Sequence, residues 1–255
     1  MYNPNPYVSL TLFLPAIGLQ IYMGLMISAV VIGTLWDLYR GRKLRFFRKE
    51  RSEIRKRQAR SLTAGERIGV VAKAIVINIA TSAEFQNKSR RTTHLLGLYG
   101  FVIYLLSSLL MVFLYPASKD TPIVLPIAWN LGAMMVVGGG LWFFLKQRVN
   151  VSHEGNSPWH LIRADLFITM LILSSASALI MELSQLSGGS GGWVGIFLGI
   201  YILFTTLLFV TVRWSKFPHM FYKSGLAIQK RLDEARGISD LPIPINKASV
   251  HPTKR

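Results

Sequence analysis

Two histidines, His94 and His219, each stand where a long apolar run meets a cluster of positive charge. His94 lies in RRTTHLLGLYGF, where basic sequence turns apolar, and His219 in RWSKFPHMFYK, where an apolar run turns basic again. Two imidazoles at the same end of two helices can hold one flat haem between them, one axial nitrogen from each side. Gly97 and Gly100 follow His94 within two turns and would let the macrocycle approach the helix. Pro218 precedes His219, lacks an amide hydrogen, and would distort or end the helix there and so re-aim the imidazole. Arg90, Arg91, Arg213 and Lys216 are close enough in sequence to meet haem propionates. The competing reading is that both histidines only mark the ends of spans. His160, which opens a span in PWHLIRAD, is a reserve ligand; His153 lies in a polar loop and His251 in the carboxyl tail.

The elements that must position these residues follow from the apolar pattern. Half of the 255 residues are apolar (51%) and only 16% are charged, against about a quarter charged in a soluble domain. The apolar residues fall into five runs, at about 8–36, 93–115, 122–145, 160–182 and 193–213, each near the roughly 20 residues that cross a bilayer as a helix. The expected fold is an all-α integral membrane protein, a five-helix transmembrane bundle. Four parts are expected: residues 1–36 as a first span, 37–92 as a basic loop, 93–215 as a four-helix core and 216–255 as a tail. Within the loop, 66–85 reads as a helix lying at the membrane interface, with apolar residues and few charges. GGG at 138–140 reads as a site of close helix packing. After about Gly237 the tail reads as extended.

Charge sets the expected orientation. The amino terminus has no Lys or Arg before its apolar run, which separates it from a signal peptide and places it outside. The segments 37–92, 146–163 and 213–255 then face the cytoplasm and hold 28 of the 29 Lys and Arg residues, as the positive-inside rule requires. The net charge of +17 therefore belongs to membrane flanks, and no nucleic-acid motif accompanies it. Residues 40–60 contain eleven basic residues, suited to anionic lipid headgroups or to a docked protein. Cysteine is absent, which excludes disulfides and iron–sulfur clusters ligated by this chain. The expected location is the cell membrane, crossed several times.

RRTTHLLGLYGF, PIAWNLGA and especially RWSKFPHMFYK resemble the membrane cytochrome b subunits of one respiratory group. That group includes the gamma subunit of respiratory nitrate reductase and the membrane subunits of heterodisulfide reductase and of quinone-interacting oxidoreductases. The resemblance covers about 90–225. It implies bis-histidine b haems held by the second and fifth spans, with His94 and His219 as the pair nearest the cytoplasm. Two-haem members carry a second histidine about ten residues after the first and another about eighteen before the last; here those positions hold Tyr104 and Tyr201. One haem b is therefore implied, with two as the alternative. The implied role is a membrane anchor passing electrons between quinone and a cytoplasmic iron–sulfur partner, the complex rather than this chain being the enzyme. Tyr104, Tyr201 and Glu182 are candidates for a quinone or proton site, or for plain packing. A haem-free anchor, or an assembly or transport component, is the alternative.

Overall fold

The computed structural model describes residues 5–40, 61–82, 87–116, 120–148, 155, 157, 159–188, 191–214 and 217–237. Seven α-helices form among them: α1 (Ala16–Arg40), α2 (Ala64–Ala74), α3 (Lys88–Phe113), α4 (Val124–Trp142), α5 (Leu166–Leu186), α6 (Gly191–Val210) and α7 (Phe217–Ala235). No strand occurs among the described residues. Helices α1, α3, α4, α5 and α6 are long and apolar enough to cross a membrane. At 1.5 Å per residue, about 20 residues cover the roughly 30 Å hydrocarbon core.

Local chemistry sets the ends. Asn87 opens α3 by accepting from the backbone N–H of Ser89 (2.9 Å) and Arg90 (3.3 Å). Thr63 and Glu66 form a reciprocal cap on α2, which satisfies amide donors that have no partner within the helix. Helix α2 runs on through a wider π turn at Ile75–Ala80, so most of the stretch expected as a helix at 66–85 is helical, with 83–86 outside the described residues. The first span starts later than its apolar run, because Pro15 precedes α1 and residues 5–15 form turns and a short 3-10 segment, Ser9–Leu12. The expected tail also changes character. Pro218 sits in the first turn of α7, where a missing amide hydrogen costs a helix nothing. It therefore starts a helix of its own, and His219 belongs to α7 rather than to the fifth span. The extended stretch expected after Gly237 lies outside the described residues.

The spans pack around a ring in the order α3, α4, α5, α6, α1, with α1 returning to α3. The ring is inverted relative to a soluble protein. Ile17, Ile21, Leu25, Leu183 and Leu203 point outward, while Ser107, Ser108, Ser174, Ser177, Thr205 and Glu182 are buried. In hydrocarbon a polar group must find its partner inside the protein. Accordingly, Ser174 and Thr205 join α5 to α6 (2.7 Å). Helix α1 is clipped on by Gln20, donating to Val112 O (3.1 Å), and by Tyr22, at 2.9 Å from Thr206 Oγ1.

Helices α3 and α4 approach through glycine. A Cβ on Gly100 would lie 2.9 Å from Gly132 O, and one on Gly132 would lie 2.6 Å from Tyr104 N. Gly139 and Gly140 are equally tight, against Leu96 and Ile172, whereas Gly138 has nothing within 4 Å. Two of the three glycines at 138–140 thus serve close packing. Gly100 does as well, so it is not open to a macrocycle; Gly97 has nothing within 4 Å of its Cβ position. Gly132→Val would press a side chain on backbone atoms that cannot yield, an overpacking cost of about 1–3 kcal/mol. Thermal unfolding in detergent should show a lowered Tm for Gly132→Val and no change for Gly138→Ala. Equal melting of both variants would contradict this packing.

Candidate functional site

Helices α3 and α6 face each other across the ring. On α3, His94, Gly97, Phe101, Tyr104 and Ser108 recur every three or four residues and so share one face. His94 stands near the end where α3 begins and α6 finishes, the end richest in Lys and Arg. Tyr104 lies about 15 Å further along the axis, at 1.5 Å per residue.

At the far end the gap is filled. The Tyr104 hydroxyl donates to Tyr201 Oη (3.3 Å), joining α3 to α6 directly. A third tyrosine enters from the amino-terminal segment: Tyr7 donates to Ser108 Oγ (2.9 Å) and lies 3.4 Å from Tyr201 Oη. Trp129 of α4 donates to Tyr7 Oη (3.1 Å) and Ser108 Oγ (3.0 Å). Its ring packs edge-on to Tyr7 at 6.0 Å and tilted to Tyr104 at 5.3 Å. All four aromatics are buried. The segment carrying Tyr7 is pinned by Asn5, which donates to Thr121 Oγ1 (3.1 Å), and by Gln185, which donates to Pro6 O (3.2 Å). Glu182 of α5 is also buried.

At the basic end, His94 Nδ1 is 2.9 Å from Ser82 Oγ. Ser82 closes the α2 extension, and α3 holds that closure from two more positions. Arg91 Nε donates to Thr81 O (2.8 Å), and the Tyr99 hydroxyl donates to Ala80 O (2.6 Å). Arg91 thus spends its Nε on the end of α2. Arg90 is partly exposed in the first turn of α3. Helix α7 packs on α2 and on its π extension, which makes a second layer at this end. His219 lies in the first turn of α7, just beyond α6; its side chain and that of Arg213, with the whole of Lys216, fall outside the described residues.

His160 is not on a span. Helix α5 starts at Leu166, and His160 is exposed in the preceding loop, where its carbonyl accepts from Arg148 Nη2 (3.1 Å). Arg148 also forms a buried ion pair with Asp165 (2.5 Å) and stacks on Phe144 at 4.4 Å. That cluster ties the end of α4 to the start of α5. His153 and His251 fall outside the described residues.

The structure therefore brings Tyr104 and Tyr201 together and joins His94 to the end of α2. Sequence reasoning missed Tyr7, Ser108, Trp129 and Ser82. The signal for Tyr7 was slight: Pro6 and Pro15 bracket a stretch that cannot continue α1 as one helix.

In class, the chain is a helical bundle whose five long helices can cross a membrane. Among known proteins it is similar to citrate utilization protein B of Escherichia coli, at 26% identity over 156 residues. The match covers 58% of this chain and 39% of that relative, so the chain spans about two fifths of the relative's length. No family model and no solved structure matches.

If the tyrosine cluster acts as one unit, its members are energetically coupled. Tyr7→Phe and Ser108→Ala should each cost about 1–3 kcal/mol, the range for leaving a buried polar group without its partner. The double variant should lose less than the sum, with a coupling of about 0.5 kcal/mol or more. Additive losses in thermal unfolding would show that the hydroxyls do not form one network.

Proposed function

We propose that the chain is a haem-b membrane subunit that passes electrons between a membrane quinone and a redox partner at its basic end. His94 and His219 are the axial ligands in this reading. The observation that carries it is His94 itself, held through Nδ1 by Ser82 and followed one turn later by Gly97, whose Cβ position is open. With Nδ1 engaged, Nε2 is the nitrogen that would take iron. His219 begins α7 at the same end of the bundle.

Bound haem supplies one-electron transfer at its iron. The chain's own residues supply the rest. His94 itself is exposed at the basic end of α3, and the polar interior of the bundle begins beside it at the buried Thr93. Arg90, Arg213 and Lys216 supply positive charge for propionates at the basic end. The tyrosine and tryptophan cluster fills the α3–α6 gap at the far end, which supports one haem rather than two. It also favours quinone binding in the half that contains His94, where Phe101 and Phe167 pack edge to face at 6.4 Å, over binding beside Tyr104 and Tyr201. Glu182, buried on α5, is a candidate for proton delivery from the far end.

The Lys and Arg distribution supports a cytoplasmic basic end and the cell membrane as the location. The partner carries the iron–sulfur clusters that a cysteine-free chain cannot ligate. The similarity to a citrate utilization protein supports a complex that serves carboxylate metabolism.

A reduced-minus-oxidised optical spectrum of the purified protein tests the reading. It should contain b-type bands that His94→Ala and His219→Ala each abolish and His153→Ala leaves intact. A spectrum without such bands would leave a haem-free anchor, and bands surviving both variants would move the ligands elsewhere.

A further inference from the structure

Ser82 combines three properties that need one explanation. It is fully buried (0% exposed). Its φ of 47° is left-handed, and it is the one non-glycine residue with positive φ among those described. Its Oγ lies 2.9 Å from His94 Nδ1. Glycine adopts that backbone without strain, whereas a Cβ crowds the carbonyl there. A serine at such a place is accounted for by what its hydroxyl does.

The backbone around it is over-determined. Thr81 N–H donates to Val76 O (3.0 Å) and Thr81 Oγ1 to Ile77 O (2.6 Å), closing the helix. Tyr99 and Arg91, both on α3, hold the carbonyls of Ala80 and Thr81. Four hydrogen bonds within two residues of Ser82 thus fix where its Oγ sits relative to α3. Arg91 and Tyr99 flank His94 on its own helix, so Oγ and imidazole are set in one frame.

We infer that Ser82 is the positioning residue for His94. Its Oγ accepts a hydrogen bond from Nδ1–H, which fixes the tautomer and the ring rotation and presents Nε2 to iron. The inference rests on the haem reading above and deepens it by naming the group that orients one ligand. Outer hydrogen bonds of this kind raise the basicity of an axial imidazole and tune the metal. A more basic imidazole favours ferric iron, so losing the bond should raise the haem midpoint potential.

Ser82→Gly removes the hydroxyl while suiting the backbone, which separates positioning from folding. In the full chain in detergent, Ser82→Gly should melt no lower than the parent. Its haem should titrate at a higher midpoint potential, and its low-spin ferric EPR signal should be altered. Ser82→Asn tolerates the left-handed region and carries an acceptor oxygen, so it should return the potential towards the parent value. Imidazole 15N shifts of His94 in haem-free protein should report Nδ1–H in the parent and a mixture of tautomers in Ser82→Gly. A Ser82→Gly protein with parental potential, EPR signal and 15N shifts would overturn the positioning role while leaving the haem reading intact. A parent protein without haem would overturn both.

Discussion

What lies between α3 and α6 governs this structure. The two helices face each other across a five-membered ring, and a gap of that kind in a membrane must be filled by side chains or by a bound group. At the far end, Tyr7, Tyr104, Tyr201 and Trp129 fill it and satisfy one another through Ser108. At the basic end, the same face of α3 offers His94 and Gly97 instead. One helix face therefore changes character over about half a membrane.

The same constraint explains where polarity sits. With lipid as the outer solvent, serine, threonine, glutamate and glutamine residues are drawn inward and bonded across helices. Thr93 on α3 meets Gln147 after α4 at 2.8 Å, and Gln147 reaches Ser89 at 2.6 Å. Arg148 and Asp165 do the same with charge. These ties concentrate at the basic end, where the wide turn at Phe143–Gln147 lies. There they fix the start of α3, and with it His94, against α4.

The spans were legible in the sequence because apolar length alone dictates a crossing helix, and the starts of α4 and α6 fall within two residues of the expected 122 and 193. Other features depend on tertiary placement. Gly100 and Gly97 look alike in RRTTHLLGLYGF, yet one is closed by Gly132 and the other is open. Arg91 reads as a propionate partner until the end of α2 is known to lie beside it. Tyr104 and Tyr201 were legible as a pair, but Tyr7 completes their cluster only because the chain before Pro15 turns back into the bundle. Ser82 could not be seen at all, since its role depends on a backbone angle and a neighbour twelve residues away. Helix α7 was hidden by Pro218, which breaks a helix in its interior but begins one in its first turn.

In the proposed reading, the two ends of the α3–α6 gap differ: aromatic side chains close one, and a haem on His94 occupies the other. The most direct test is the ratio of haem b to polypeptide in the purified protein, from the pyridine haemochrome spectrum and amino-acid analysis. A ratio near one is the predicted result. A ratio near two would mean that the tyrosine cluster yields to a second haem, and a ratio near zero would mean that His94 and His219 serve another purpose.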